Sequence, residues 1–387
     1  MKAKIFLIFF SIILSLYFVE AVLIGLEKYN LSTAKKVKEK IYYKNTGKKF
    51  DTRTRLEIFD ELKKSNKYEN LTISTDQIFS ESTFFSLAGK AHTNTIFCNE
   101  NGYYPIFKTD RYGFNNNDIK WNTKEIDFLF LGDSFTHGAC VNTEDNFANI
   151  FEKFSKRNVL NLGFSGSGPL RQYAILREYT TNKKIKNIIL FYYNGNDLHN
   201  LREEYKIDIL RKYIKNQKFS QKLKTKQKEI DQQFFDIEKK FSEKKQRQFF
   251  ITLFNNSIQT IKLTKLRLLI KSFQNEKFTI KKLKDENEIN LKKILILFKD
   301  FSKNKRSNFY LVYLPSYSSL VNNSQPYDYE LIKKFSEDLK ISMIDFYELF
   351  SKEKDYKNYF PFGKNGHYNE AGHKFVGENT YYNVIEN

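Results

Sequence analysis

The chain has 387 residues, 65 of them basic and 45 acidic, for a net charge of +20. That length allows a full hydrophobic core together with an anchor and an insertion. The lysines are spread along the whole chain, with Asn, Ile, Phe and Tyr abundant beside them, so the basic balance reads as compositional bias and no nucleic-acid partner is expected. Cys98 and Cys140 are the only cysteines, which excludes a disulfide framework. A single bridge between them is open to a chain outside the cytoplasm; two buried thiols are the simpler expectation. No Cys/His cluster has zinc-ligand spacing, and no Gly-rich loop is laid out to cradle phosphate.

Lys2 and Lys4 precede an apolar run from Ile5 to Leu26, broken by Ser11, Ser15, Tyr17 and Glu20. At about 1.5 Å per helical residue, such a run spans the roughly 30 Å hydrocarbon core of a bilayer. Positive charge before it predicts that the first residues stay in the cytoplasm. Glu20 sits near enough to the far end to reach the interface, which keeps its cost small. Residues 1–27 therefore read as a transmembrane anchor. The competing reading is a cleaved signal peptide with Val19-Glu20-Ala21 as the small-residue site. The basic stretch from Lys35 to Lys40 works against the orientation rule. Both readings place the bulk of the chain outside the cytoplasm, in the periplasm or at the cell surface.

Residues 28–122 read as a lysine-rich stem followed by a small β-containing region. Thr95 to Cys98, a turn at Asn101-Gly102 and Tyr103 to Lys108 carry the strand signals. The plain reading is a strand layer covering one edge of a larger sheet. The sharper one is a contribution to a ligand cleft, because the segment leads straight into the next strand.

That strand is Phe128-Leu-Phe-Leu131, an apolar run suited to burial on both faces. It ends at Gly132-Asp133-Ser134, where a strand's carboxyl end places a serine hydroxyl in the crevice of an open α/β sheet. Asn158 to Asn161 predicts a second strand, followed by Gly163-Phe-Ser-Gly166-Ser-Gly168, whose glycines let backbone approach a ligand. Asn187 to Tyr193 predicts a third, ending at Asn194-Gly195-Asn196-Asp197. Residues 201–300 are dense in Lys, Glu and Gln, with apolar positions at helical spacing such as Phe234, Phe235, Ile237 and Phe241. They predict a helical insertion, read as a solvated cap or, more sharply, as a surface for a membrane face or partner protein. Phe309 to Leu314 and Ile341 to Phe346 supply two more strands, and Gly366-His367-Tyr-Asn369 leads into a last helix.

A serine, separated donors and a late histidine are what acyl transfer requires. The hydroxyl becomes a nucleophile only when a positioned base takes its proton, and the tetrahedral intermediate needs donors for its oxyanion. The blander readings are a capping role for Ser134 and Asn196, a packing role for His373, and loop positions for His137 and His199.

The order of these motifs resembles the SGNH (GDSL-type) hydrolase superfamily over roughly residues 123–200 and 305–387. Gly132-Asp-Ser-Phe135 matches the first block, Asn161 to Gly166 the second, Asn194 to Asp197 the third with Asn194 replacing a glycine, and His367 the last. The resemblance implies a three-layer α/β/α, flavodoxin-like domain with a mostly parallel five-stranded sheet, built from residues 123–200 and 301–387. It also implies Ser134 as nucleophile and His367 as base. The oxyanion hole would be the amides of Ser134 and Gly166 with the Asn196 side chain. Gly163 is the rival glycine, and Asp133, Asp197 and His137 are further candidates to line the site. The family's last block normally carries an Asp three residues before the histidine, and here that position is Lys364. A backbone carbonyl or an acid such as Glu370 is then needed to orient His367.

The function so implied is a membrane-anchored serine esterase acting on an acyl ester of a cell-envelope polysaccharide or lipid, with no metal or cofactor. An O-acyltransferase using the same residues is one alternative. A non-catalytic envelope binding or assembly protein, suggested by Lys364, is the other.

Overall fold

The computed structural model describes residues 2–65, 67–68, 70–73, 84–239, 258–273, 277–322 and 325–386. Its contacts divide the chain into two units, residues 1–50 with 235–284, and residues 51–234 with 285–387.

The larger unit is built on a five-stranded sheet. Its strands are β4 (Glu125–Leu131), β5 (Val159–Asn161), β6 (Lys184–Tyr193), β7 (Asn308–Leu314) and β8 (Ser342–Asp345). They lie in the order β5-β4-β6-β7-β8, and all four pairings are parallel. This is the expected doubly wound arrangement, and the strand order reverses at β4, between its neighbours β5 and β6. Ligands in open parallel sheets collect at the carboxyl ends beside such a reversal.

Helices cover both faces. In chain order they are α3 (Ser134–His137), α4 (Phe147–Ser155), α5 (Pro169–Tyr179), α6 (Asp197–Glu204), α7 (Asp208–Lys215) and α8 (residues 227–239). They continue with α10 (Lys277–Lys305), α11 (Tyr317–Val321), α12 (Tyr327–Asp338), α13 (Phe346–Lys352) and α14 (Glu370–Tyr381); α9 (Thr264–Phe273) belongs to the smaller unit. The apolar run of β4 splits by the two-residue period of a strand. Phe128 and Phe130 join Phe147 and Phe151 of α4 and Val376 of α14. Leu129 and Leu131 join Leu176 of α5 and Leu295 and Phe298 of α10. Each such fully buried side chain stabilises the fold by roughly 1.5–3 kcal/mol.

The charged insertion is helical, but it is a solvated cap only in part. Leu201, Leu210, Tyr213, Leu223 and Ile230 are fully buried in the same core as β4 and β6. Leu291, Ile294, Leu295 and Phe298 form a buried stripe at helical spacing along α10, while Ile289 and Ile296 face outward. The apolar spacing of Leu291 to Phe298 is the amphipathic pattern expected of the insertion, and it is buried in the main core. Phe234 is buried and Phe235 exposed; Phe241 lies outside the described residues.

Before β4, a small sheet pairs β1 (Leu71–Ile73) with β2 (Asn94–Ile96) in parallel and β2 with β3 (Ile106–Lys108) antiparallel. The loop 97–105 joining β2 to β3 carries Cys98, Glu100 and the Asn101-Gly102 turn. Helix α2 (Arg55–Lys64) precedes it, opened by a Thr54–Glu57 capping box.

In the smaller unit, α1 (Lys2–Thr46) runs unbroken for 45 residues, so the apolar run and the start of the stem form one helix. Its amino-terminal part is long and apolar enough to cross a membrane.

Candidate active site

The turn that carries Ser134 is shaped by close packing at the end of β4. A Cβ on Gly132 would lie 2.1 Å from Thr136 Oγ1, so only glycine fits there. Asp133 caps α3 by accepting the Phe135 N–H at 2.9 Å, and Gly138 closes the turn with φ 86°. The capping role thus falls to Asp133, and the Ser134 hydroxyl also lies 3.4 Å from Asp133 Oδ2. Burial pushes the Asp133 carboxyl up to about 6, against the lowering effect of the Phe135 N–H and the His367 charge.

The loop before α14 brings His367 to this turn. His367 Nε2 lies 2.9 Å from Ser134 Oγ. The acid that meets His367 is Glu100, from the β2–β3 loop. His367 Nδ1 lies 3.0 Å from Glu100 Oε1, and the His367 N–H donates to Glu100 Oε2 at 2.6 Å. A carboxylate only accepts, so Nδ1 carries the proton and Nε2 is left to accept from the serine. Burial alone would lower the histidine's pKa. The hydrogen bond and charge of Glu100, with the charge of Asp133, outweigh it and hold the imidazole above its ordinary 6.5.

Glu370, the acid named from the sequence, is taken up elsewhere, accepting the Tyr103 hydroxyl at 2.5 Å. Lys364 follows the Pro361–Gly363 turn, its N–H donating to the Pro361 carbonyl. Sequence reasoning missed Glu100 because it sits on a hairpin loop in no motif. Its nearest signal was Cys98, two residues before it.

Cys98 and Cys140 form a disulfide, correcting the expectation of two thiols. The β2–β3 loop and the chain after α3 meet side by side. Asn101 Nδ2 donates to the Cys140 carbonyl at 3.0 Å, and the two cysteine Cα atoms are 4.8 Å apart. Cys140 Sγ lies 3.8 Å from His367 Nδ1. Cys98, Cys140 and His367 offer ligand atoms within 4.8 Å of one another. With the sulfurs bonded to each other there is no thiolate, so the group does not have the chemistry of a metal site.

The glycine loop after β5 is held by Asn161. Its Nδ2 donates to the Thr136 carbonyl at 2.7 Å and its Oδ1 accepts the Gly163 N–H at 2.9 Å. The amides of Leu162, Phe164, Ser165, Ser167 and Gly168 also find acceptors, namely Phe130 O, Gly132 O, His137 Nδ1, Phe164 O and Glu204 Oε1. From Leu162 to Gly168, Gly166 alone has no acceptor for its N–H among the described residues. It takes φ 73°, a backbone conformation that glycine adopts without a steric penalty. Asn196 opens α6, yet its side chain does not cap that helix, and its Oδ1 is buried without a partner. Asn194, the departure from the family's glycine, ties β6 to the segment after β7 by accepting the Ser316 N–H at 2.6 Å.

The remaining candidates are buried, apart from His199. Asp197 is buried and accepts the Tyr193 N–H at 3.0 Å. Gly163 is buried behind the nucleophile turn, where a Cβ would come within 2.5 Å of His137 N. His137 is buried among Phe97, Phe107 and Phe164, and burial pushes its pKa down to about 3. His373 is likewise buried, with its pKa pushed down to about 3, and stacks on Phe147. His199 is exposed beside Arg202.

No family model matches the chain, and no curated protein does. Among solved structures, it is similar to a protein from Desulfitobacterium hafniense DCB-2 described as lipolytic and of the G-D-S-L family. The identity is 14% over 68% of this chain and 100% of that one, with a TM-score of 0.33. An acetyl xylan esterase, AlAXEase, shares 14% identity over 67% of this chain and 100% of its own, with a TM-score of 0.38. A lipase/acylhydrolase from Enterococcus faecalis shares 10% over 68% and 95%, with a TM-score of 0.36.

Proposed function

We propose that the chain is a serine esterase of the SGNH type, anchored in a membrane by α1, acting outside the cytoplasm on an acyl ester of an envelope polysaccharide or lipid. The observation that carries this reading is the unbroken relay from Glu100 through His367 to Ser134, with contacts of 3.0 and 2.9 Å. Glu100 stands where an orienting acid is needed despite Lys364, which supports a catalytic site over a degenerate one.

Glu100 holds the Nδ1–H tautomer, and Nε2 takes the Ser134 proton as Oγ bonds to the ester's carbonyl carbon. The oxyanion is received by the amides of Ser134 and Gly166 and by the Asn196 side chain. Removing one such donor typically costs about 10²–10³ in rate. The imidazolium, stabilised by Glu100, returns its proton to the leaving alcohol as the C–O bond breaks. Water, deprotonated by Nε2, then attacks the acyl-serine and regenerates the hydroxyl. An acceptor hydroxyl in place of that water would give acyl transfer by the same route.

The test is fluorophosphonate labelling of the full chain in detergent, beside Ser134→Ala and His367→Ala. Labelling that requires both residues supports an activated serine. A folded wild type that does not label sinks the reading. An assay of acetyl release from acetylated glycan, with and without an acceptor, then separates hydrolysis from transfer.

A further inference from the structure

The apolar run of α1 contains one buried residue, and it is an acid. Ile5 to Phe10, Ile12 to Leu14, Phe18, Val19 and Val22 are exposed, whereas Glu20 is fully covered. What covers it is α9 from the insertion, in the same structural unit. Glu20 Oε1 accepts the Lys265 N–H at 2.9 Å, and Oε2 accepts the Leu266 N–H at 2.7 Å. These are free amides of the first turn of α9, where a carboxylate is favoured by the helix dipole. Lys265 Nζ pairs with Glu27, and the Tyr17 hydroxyl donates to the Ile261 carbonyl at 3.0 Å. Tyr17, Glu20, Leu23, Ile24 and Glu27 share one face of α1 by their three- and four-residue spacing, and Leu23 and Ile24 are half-buried on it.

At about 1.5 Å per residue, Glu20 lies about 9 Å inside the far end of the run that closes at Leu26. With α1 as the anchor, this brings the amino-terminal end of α9 to the bilayer boundary. Ile261, Leu268, Leu269 and Ile270 are exposed on and just before this helix, which packs against α1. Lys262 and Arg267 are exposed among them, the mixture of apolar and basic groups that suits a helix lying at a bilayer surface.

We propose that α9 is a second membrane-contacting element, seated against the anchor by Glu20 and covered on its exposed apolar side by lipid. The insertion thus returns to the membrane rather than ending in solvent. This rests on the reading of α1 as an anchor.

The experiment uses the full chain in vesicles of phosphatidylcholine and phosphatidylglycerol. Cys98 and Cys140 are paired, so a single added cysteine can carry an environment-sensitive fluorophore, at Phe9→Cys on α1 or Leu269→Cys on α9. Each label is read against brominated lipid and aqueous iodide. The expected result is loss of emission with brominated lipid, and protection from iodide, at both positions. In Glu20→Ala, the Leu269 label is expected to become iodide-accessible while the Phe9 label stays lipid-quenched. Phe9 quenched by lipid with Leu269 quenched by iodide overturns the proposal and leaves the anchor standing. Leu269 protected from both quenchers assigns that face to a protein partner and overturns lipid contact. A Phe9 label untouched by lipid overturns the anchor, and the proposal with it. A Leu269 label that stays lipid-quenched in Glu20→Ala removes Glu20 as the clasp.

Discussion

Glu100 and His367 stand 267 positions apart and are joined twice, through the histidine's ring Nδ1 and through its backbone N–H. The double contact fixes both the tautomer and the position of the loop that carries the ring. A family-type Asp three residues before the histidine would act from within its own loop. Here the acid arrives from a separate hairpin, so the geometry of the base depends on how that hairpin is held.

Replacing Glu100 should therefore act on catalysis and on its pH dependence together. Glu100→Gln is expected to lower kcat/KM by about 10²–10⁴, as loss of the correct tautomer does in serine triads. In the wild type, Glu100 helps hold the His367 pKa above 6.5. Activity requires the neutral ring, so it falls as pH drops through that raised value. Without the carboxylate charge the ring protonates less readily, and the acid limb moves to lower pH. A pH–rate profile checks this, and an unshifted acid limb would remove Glu100 from the relay.

The Cys98–Cys140 bridge ties that hairpin to the chain following the nucleophile helix. With a sequence separation of 42, it should contribute roughly 4 kcal/mol to stability on the chain-entropy account. Reduction by a dithiol, which leaves two thiols and oxidises the reductant, is expected to lower Tm and activity together. Its acid limb should move in the same direction as that of Glu100→Gln. The Cys98→Ser/Cys140→Ser double variant should match the reduced protein and show no further response to the dithiol. Full activity in that variant at low temperature would mean that the hairpin holds Glu100 without the bridge.

The contrast between Ser134 and Glu100 shows what could be read from the sequence. Ser134 and Asn196 stand at strand ends, where an apolar run stops at a turn, and periodicity locates such positions. His367 opens onto a helix with its own signals. Glu100 has none of these marks, because its function is created by a loop whose place depends on tertiary packing and on a disulfide. The insertion was legible as amphipathic helix but not as core. Leu291, Ile294, Leu295 and Phe298 keep strict helical spacing, yet spacing does not say what covers the apolar side. A stripe needs only one side of a helix, so dense charge on the other side says little about burial.

Asn196 should be separable from the fold. Its side chain makes no capping bond, so Asn196→Ala should leave Tm nearly unchanged. Its loss as an oxyanion donor is expected to lower kcat by about 10²–10³ with little change in KM. Thermal melting and steady-state kinetics read the two quantities. A large fall in Tm with unchanged kcat would assign it to structure instead.

Gly163 and Gly166 provide the matching pair. A methyl group on Gly163 meets His137 N and Thr136 C at 2.5 Å, both backbone atoms of the nucleophile helix. Gly163→Ala should therefore destabilise the protein, by about 1–3 kcal/mol or more, and lower activity through displacement of that helix. Gly166→Ala meets a different obstacle, since φ 73° disfavours a side chain by about 1–2 kcal/mol. Relief of that strain turns the one uncommitted amide of the loop away from the carbonyl it is proposed to receive. Its Tm should fall modestly and its kcat by more than tenfold. Normal turnover in a folded Gly166→Ala protein would show that the oxyanion is held without this amide, leaving Ser134 and Asn196 to do so.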